Sequence, residues 1–291
     1  MKSAAIGVLL LLSVPSYAQT PSAKEMPSAK GVNFYSLESE FLAGQDIAAN
    51  LVHTLPVVHD PRIDEYLDNL TSELRRHADP RFAYSFTVYD DRQYSGPQWV
   101  SLEMPVDALR GEACEPIAIA GGPILVPLSL IAAAPDEASL VFQLSHAMAH
   151  VALRHPTKLA TRQDITRLAA LPLQQQAIRH GPVTGIATIS AAPFAMEAGF
   201  NAFARQFELA ADLLATGIMA GSGYDPAAAI PYLQAQPREF VPAPGKLHAV
   251  HPPVEKRVET IRDAIEALTP AGYDAQTGAF AEIKALAGAI H

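Results

Sequence analysis

Two histidines four residues apart are the clearest candidates for chemistry in this chain. His146 and His150 lie in the segment Leu144–His150, whose residues have helical spacing. Side chains at positions i and i+4 of a helix lie one above the other, which is the arrangement that two imidazoles need to bind one zinc ion. The pair alone also fits two packed or solvated histidines, because the chain has 10 histidines and such a spacing arises by accident.

Two acidic residues with the same spacing form a second candidate pair. Glu208 and Asp212 lie on a segment whose other residues predict a buried helix. A buried carboxylate needs a partner, and a metal ion for one acid with a histidine N–H for the other would supply both. An ion pair between Glu208 and Arg205, which lies three residues earlier, is the alternative explanation.

A third candidate is His251, which precedes two prolines at the predicted start of a helix. An imidazole at such a position can point into a cleft or lie on the surface, and the residue alone does not decide between these. Arg257 follows on the same predicted helix.

Helices must position most of these candidates. The clearest helix start is Asp60–Pro61, because Asp caps a helix and Pro fits its first turn. Apolar residues then recur on one face of that helix, at Ile63, Tyr66, Leu67, Leu70 and Leu74. Periodicity and helix-end signals predict further helices over residues 37–52, 136–155, 157–180, 196–220 and 253–268, with a short one in the tail.

Two segments predict strands. Apolar residues alternate over residues 82–88, which is typical of a half-buried strand. Residues 116–126 predict a strand that bends at Gly121–Gly122, and Pro123 indicates an edge position because proline cannot donate to a ladder. Many helices around a small sheet, without internal repeats, predict one predominantly helical α+β domain over residues 33–291.

Composition excludes several classes of function. The 291 residues are 49% hydrophobic and 18% charged, which is typical of a globular domain. The net charge of −9 without a basic cluster excludes nucleic acid as a partner, because phosphate binding needs concentrated positive charge. The single cysteine, Cys114, cannot form an intramolecular disulfide.

The N-terminus has the three parts of an export signal. Lys2 precedes an apolar run over residues 4–14, and the small residues that end at Ala18 form a cleavage site. The run is too short to span a bilayer, which takes about 20 apolar residues. We expect a signal peptide over residues 1–18, a linker over residues 19–32, and a periplasmic or secreted protein without an integral membrane span.

Taken in order along the chain, these pieces resemble the gluzincin zinc endopeptidases related to the CAAX prenyl protease and the periplasmic barrel-assembly-enhancing protease. The resemblance covers roughly residues 33–268. The features that carry it are the Gly121–Gly122 strand, His146 and His150 followed by Arg154–His155, Glu208 with Asp212, the Gly-Tyr-Asp-Pro run at 223–226, and His251–Pro252 with Arg257.

The resemblance implies a zincin-like metallopeptidase domain that holds one zinc ion, with a small sheet beside the metal-binding helix. The implied zinc ligands are His146, His150 and Glu208. Behind the ligands, the resemblance implies Asp212, which would orient a histidine, and Arg205 beside it. It implies His251 and Arg257 as catalytic residues that line the site, with His251 a candidate donor to the transition state. An extended or unfolded polypeptide would add as a strand to the edge formed by Ile117, Ala118, Ile119, Ala120, Gly121 and Gly122.

Ala147 departs from the family's His-Glu-x-x-His motif, because it occupies the position of the glutamate. In the family, that glutamate takes a proton from water and passes it to the leaving amine. Alanine cannot transfer a proton, and loss of a general acid–base lowers the rate ~10²–10⁴-fold. The implied ligands are intact, so the sequence predicts metal binding with impaired catalysis. The retained signal peptide favours a natural substitution over an introduced one.

A lesser departure is Glu115–Pro116, which stands where the family often has Asn-Ala, after an apparent insertion over residues 91–114. Both features alter the rim of the implied substrate cleft. Three further residues, His155, His251 and Glu137, are candidates for a replacement base that sequence alone cannot place.

Three hypotheses remain open on the sequence. The first is an active or impaired metalloendopeptidase that acts on envelope proteins. The second is a non-catalytic module of the same fold that binds extended peptides as a holdase or regulator. The third is a helical domain whose histidines are accidental, which requires that three fragments of a site coincide.

Overall fold

The computed structural model describes residues 31–93, 99–100, 104–105, 115–165, 203–236, 251–269 and 271–290. Several predicted segments lie outside these residues: the signal peptide, nearly all of the linker and much of the insertion. Most of the helix predicted over 157–180 and the first residues of the helix predicted over 196–220 also lie outside them. Of the helices described, none combines the length and the hydrophobicity that crossing a membrane requires.

Helix α1 (Leu37–Thr54) packs closely over a glycine turn. A Cβ on Gly44 would lie 1.6 Å from the carbonyl oxygen of Ala120, so only glycine permits this approach. Within the turn, Gly121 and Gly122 have φ angles of +79° and +134°, which other residues rarely adopt. The turn and the helix therefore hold each other in place.

Helix α2 (Pro61–His77) begins where the sequence predicts. The Asp60 carboxylate accepts a hydrogen bond from the Arg62 N–H at 2.9 Å, and Pro61 occupies the first turn. The apolar face predicted for this helix is confirmed by the burial of Ile63, Tyr66, Leu67, Leu70 and Leu74.

Three strands form a mixed sheet in the order β1–β5–β4. The central strand β5 (Pro123–Pro127) pairs parallel with β1 (Ser85–Tyr89) and antiparallel with β4 (Ile117–Ala118). The prediction that Pro123 marks an edge is therefore wrong. Pro123 begins the central strand, where its missing N–H is tolerated, and its carbonyl still accepts from the Ile119 N–H at 2.8 Å.

A second sheet lies within the predicted insertion. It pairs β2 (Trp99–Val100) antiparallel with β3 (Met104–Pro105). The strand predicted over residues 82–88 begins later than expected, at Ser85. Phe82 and Tyr84 lie in the segment before the strand, but their side chains are also buried in the core. Their spacing in the sequence therefore looks like the alternation of a longer strand.

Helix α4 (Glu137–Ala152) runs through the centre of the domain and is buried on nearly all sides. The prediction that it continues to about residue 155 is wrong, because Arg154 has a φ angle of +60°, which interrupts the helix. Arg154 is held there by the Glu40 carboxylate, 2.5 Å from its Nε, and by the Tyr35 carbonyl oxygen, 2.6 Å from its Nη2. Glu40 belongs to α1, so the turn after α4 is fixed by a distant part of the chain.

The other helices surround α4. They are α3 (Leu128–Ala133), α5 (155–165), α6 (203–221), α7 (Ala229–Ala235), α8 (Val254–Ala267) and α9 (Phe280–Ala289). Most of these helices, together with α2 and the three-stranded sheet, bury their apolar side chains in one core around α4. The predicted class, α+β with predominantly helical content, is confirmed.

Candidate metal centre

The two histidines of α4 face the same side of the helix. The Nε2 atoms of His146 and His150 lie 2.9 Å apart, and both side chains are largely buried. Two ring nitrogens at this distance need a shared N–H proton or a metal ion between them, because two lone pairs would repel each other.

Glu208 of α6 completes the cluster. Its Oε2 lies 3.2 Å from Nε2 of His146, and its Oε1 lies 3.3 Å from Nε2 of His150. Burial alone would raise the pKa of Glu208, but the two histidines hold it well below its usual range. Arg205, implied as a neighbour of the ligands, lies one turn earlier on α6 and is half-buried.

These three side chains, which we call the metal cluster, match the geometry of a zinc site. The ligand atoms of His146, His150 and Glu208 all lie within 4.8 Å of one another. Tetrahedral zinc with bonds of about 2.0–2.2 Å separates neighbouring ligand atoms by about 3.3–3.6 Å. The two Nε2 atoms lie 2.9 Å apart, and the two Glu208 oxygens lie 3.2 and 3.3 Å from them, so the donor atoms converge slightly inside that spacing and could hold one metal ion.

Asp212 contacts His146 on the side away from the cluster. Its Oδ1 lies 3.0 Å from Nδ1 of His146. Arg257 of α8 donates to both oxygens of Asp212, from Nε at 2.8 Å and from Nη2 at 2.7 Å. Burial alone would raise the pKa of Asp212, but Arg257 and His146 hold it below its usual range. An ionised Asp212 fixes a proton on Nδ1 of His146 and leaves Nε2 facing the cluster.

Arg257, which the resemblance implies as a residue lining the site, lies behind Asp212 with its side chain 5% exposed. Its Nη1 also lies 3.8 Å from Oε1 of Glu115. Arg257 can therefore orient both carboxylates.

His155, the first residue of α5, supports the second histidine of the cluster. Its Nδ1 lies 3.1 Å from Nδ1 of His150, and its ring stacks on Phe207 with centroids 4.2 Å apart. Burial and the nearby His150 hold the pKa of His155 well below its usual range, so its ring is neutral. A neutral His155 can accept the Nδ1 proton of His150, which leaves Nε2 of His150 for a metal ion.

His251 lies on the solvent-exposed side of the metal cluster. Its Nε2 lies 3.8 Å from Oε2 of Glu208 and 3.3 Å from Oε2 of Glu115, and its side chain is 41% exposed. These carboxylates, Glu115 above all, raise the pKa of His251 to about 9. His251 therefore presents a positive charge beside the ligands at neutral pH.

Glu115 is the acid beside His251, and the sequence analysis did not assign it to the site. It precedes β4, and its Oε1 lies 3.8 Å from Nη1 of Arg257. Burial alone would raise the pKa of Glu115, but His251 and Arg257 lower it, so Glu115 is ionised at neutral pH. The sequence did offer one indication of this role, because Glu115 stands where the family that the chain resembles often has asparagine.

Ala147 lies beside His146 on α4, is 2% exposed and packs in the hydrophobic core. Of the candidate replacement bases, Glu137 lies at the other end of α4, roughly 13 Å along the helix axis from His146. Its carboxylate accepts there from the Tyr66 hydroxyl at 2.8 Å and from the Thr277 N–H at 2.9 Å. Glu137 therefore cannot serve the metal cluster.

The implied substrate edge is shorter than expected. Only Ile117 and Ala118 form β4, which lies at the edge of the described sheet and packs against α4. Residues 119–122 instead form a buried turn beneath α1, because the left-handed backbone of Gly121 and Gly122 cannot continue a strand.

Comparison with known proteins relates this geometry to one family. The family described as "Peptidase family M48" matches residues 115–265 of the chain. This stretch contains Glu115, the metal cluster and Arg257.

Several curated proteins are similar over most of this chain. The beta-barrel assembly-enhancing protease of Yersinia pestis is 22% identical over 245 residues, which are 81% of this chain and 46% of that protein. Its counterpart in Escherichia coli strain K12 is 20% identical over 264 residues, which are 88% of this chain and 50% of that protein. A Vibrio cholerae protein, given the same name provisionally, is 25% identical over 242 residues, 81% of this chain and 46% of its own length. The chain thus spans about half the length of these relatives.

Proposed function

The chain belongs to peptidase family M48, and from this premise we propose that it is an exported zinc endopeptidase that cleaves unfolded envelope polypeptides slowly. The observation that carries the proposal is the convergence of His146, His150 and Glu208, whose ligand atoms lie within 4.8 Å of one another. A zinc ion in this cluster would polarise the scissile carbonyl and lower the pKa of the attacking water.

The chain's own residues would prepare the site for that ion. Asp212 and His155 hold the Nδ1 protons of the two histidines, so both Nε2 atoms face the metal. The cationic His251 lies on the open side of the cluster, where it can stabilise the negative charge that develops on the carbonyl oxygen.

The slow rate follows from Ala147. The buried methyl group of Ala147 cannot take a proton from water, and loss of a general acid–base lowers a rate ~10²–10⁴-fold. The candidate metal ligands and the residues that orient them are intact, so the chain should bind zinc although its catalysis is slow.

We infer the substrate class from the strand edge. An extended polypeptide can pair with Ile117–Ala118 of β4, which packs against the helix that carries both histidines. Location in the envelope is supported by the export signal predicted over residues 1–18 and by relatives whose names refer to beta-barrel assembly.

The test compares this chain with an Ala147→Glu variant. Zinc content is measured by mass spectrometry, and cleavage of β-casein is followed with and without the chelator 1,10-phenanthroline. We expect one zinc ion in each protein, slow chelator-sensitive cleavage by the chain, and cleavage faster by ~10²-fold or more in Ala147→Glu. An Ala147→Gln control has the same shape without the acid and should stay at the rate of the unsubstituted chain. Absence of zinc from all three proteins would refute the proposal.

A second candidate function is non-catalytic binding of extended peptides. It is favoured by one observation, the burial of an apolar residue at position 147 beside an intact ligand set. It predicts that the zinc-loaded chain retains β-casein without cleaving it, whereas Ala147→Glu cleaves it. Chelator-sensitive cleavage by the unsubstituted chain would exclude this candidate.

A further inference from the structure

We propose that Glu115 acts as a less effective general base in place of the glutamate that is missing at position 147, which accounts for the slow cleavage proposed above. The inference rests on the proposed function and deepens it, because it names the residue that accepts the water proton. Glu115 lies just before β4, whereas the glutamate whose role it would take belongs at position 147 of α4.

The other acids around the metal cluster are more buried than Glu115, because the side chains of Glu208 and Asp212 are 10% and 0% exposed and that of Glu115 is 29% exposed. Glu208 is a metal ligand candidate, and Asp212 is bound to His146 and Arg257. Glu137 lies at the opposite end of α4. In the part of the chain that the structure describes, Glu115 is the remaining carboxylate beside the open side of the cluster.

The position of Glu115 suits a proton acceptor. Nε2 of His251 lies between two carboxylates, 3.3 Å from Oε2 of Glu115 and 3.8 Å from Oε2 of Glu208. Glu115 is therefore separated from a metal ligand by one imidazole nitrogen. Arg257 faces its other oxygen at 3.8 Å, which orients the carboxylate, and 29% exposure of the side chain gives water access.

The proposed step is a hydrolysis that balances without any further reactant. Glu115 takes a proton from the attacking water as the water oxygen bonds to the scissile carbonyl carbon. The C–N bond then breaks, and Glu115 passes the same proton to the nitrogen of the leaving amine. The carboxylate is ionised again at the end of the cycle.

A second role for Glu115 must be separated from this one. Because Glu115 contacts His251, its loss could also displace His251 and lower the rate by that route. A double-mutant cycle with position 147 distinguishes the two roles, since a restored glutamate makes a second base redundant but does not reposition His251.

The experiment measures kcat and KM for β-casein with four zinc-loaded proteins: the chain, Glu115→Gln, Ala147→Glu, and the double variant. In the chain, Glu115→Gln should lower kcat ~10²-fold with zinc content unchanged. In the Ala147→Glu background, the same substitution should lower kcat by less than ~3-fold. The matched control is Glu259→Gln, which removes the same charge from an acid of α8 that is 59% exposed, and it should leave kcat unchanged.

Three other results would contradict the base role of Glu115 or the proposed function, and they can be told apart. An equal loss of kcat in both backgrounds would show that Glu115 positions His251 and is not the base. A zinc-loaded chain with no chelator-sensitive cleavage would refute Glu115 as a base while zinc binding stands. Absence of zinc from every variant would refute the proposed function itself.

Discussion

The two ends of helix α4 hold buried polar clusters of opposite kinds. At its start, the Glu137 cluster consists of Glu137, Tyr66, Tyr224 and Thr277, in which the carboxylate accepts from three hydroxyls and a backbone N–H. Towards its end, the metal cluster brings two imidazoles and the Glu208 carboxylate together at 2.9–3.3 Å. The first cluster is satisfied by neutral donors, whereas the second brings together ring nitrogens and a carboxylate that could hold a metal ion.

This difference separates a structural acid from a candidate site. Glu137 ties α4 to α2 and to the segment before α9, and its hydrogen bonds use the lone pairs that a ligand would need. Glu208 faces ring nitrogens that two further residues, Asp212 and His155, hold in orientation. Burial of a carboxylate alone therefore does not indicate a metal site. Convergence of several possible ligand atoms, with neighbours that orient them, does indicate one.

The largest expected effect is on zinc affinity in Glu208→Gln. Replacing the carboxylate with a neutral amide removes one of three ligands, which should weaken zinc binding by more than ~100-fold. Competition with a fluorescent zinc chelator measures the affinity. Glu137→Gln is the matched control, since it makes the same change at the other end of α4 and should bind zinc like the unsubstituted chain. Equal affinity in both variants would contradict the assignment of Glu208.

A smaller loss of zinc affinity is expected in His155→Phe. Phenylalanine keeps the stack on Phe207 but cannot accept the Nδ1 proton of His150, so zinc affinity should fall ~10–100-fold. The same chelator competition applies.

The companion variant for this test is His155→Asn, which restores an acceptor oxygen but not the stack. It should recover part of the zinc affinity. If both variants bind zinc as tightly as the unsubstituted chain, His155 contributes packing and not orientation.

Local patterns predicted the elements that local physics decides. The Asp60–Pro61 start of α2 and its apolar face depend on neighbouring residues, and the structure confirms both. The i and i+4 spacing of His146 and His150 likewise follows from a single helix. These features could be read from the sequence because no distant residue alters them.

The features that could not be predicted from the sequence depend on long-range contacts. Helix α4 ends early because Glu40 of α1 holds Arg154 in a left-handed conformation. Pro123 lies in the central strand because β1 and β4 pair on either side of it. Glu115 pairs with His251, which lies more than 130 residues later in the chain, just before α8. None of these pairings has a local signal.

The smallest of the three effects is on stability, in Glu137→Gln. The amide keeps one acceptor oxygen but turns its NH₂ towards the donors of Tyr66 or Thr277, so the free energy of unfolding should fall by ~1 kcal/mol. Urea denaturation with a chelator present measures this without any contribution from zinc. Glu65→Gln is the control, because Glu65 is exposed on α2 and its loss should change stability by less than ~0.5 kcal/mol. If Glu137→Gln instead left stability unchanged and weakened zinc binding as Glu208→Gln does, the contrast between the two clusters would fail.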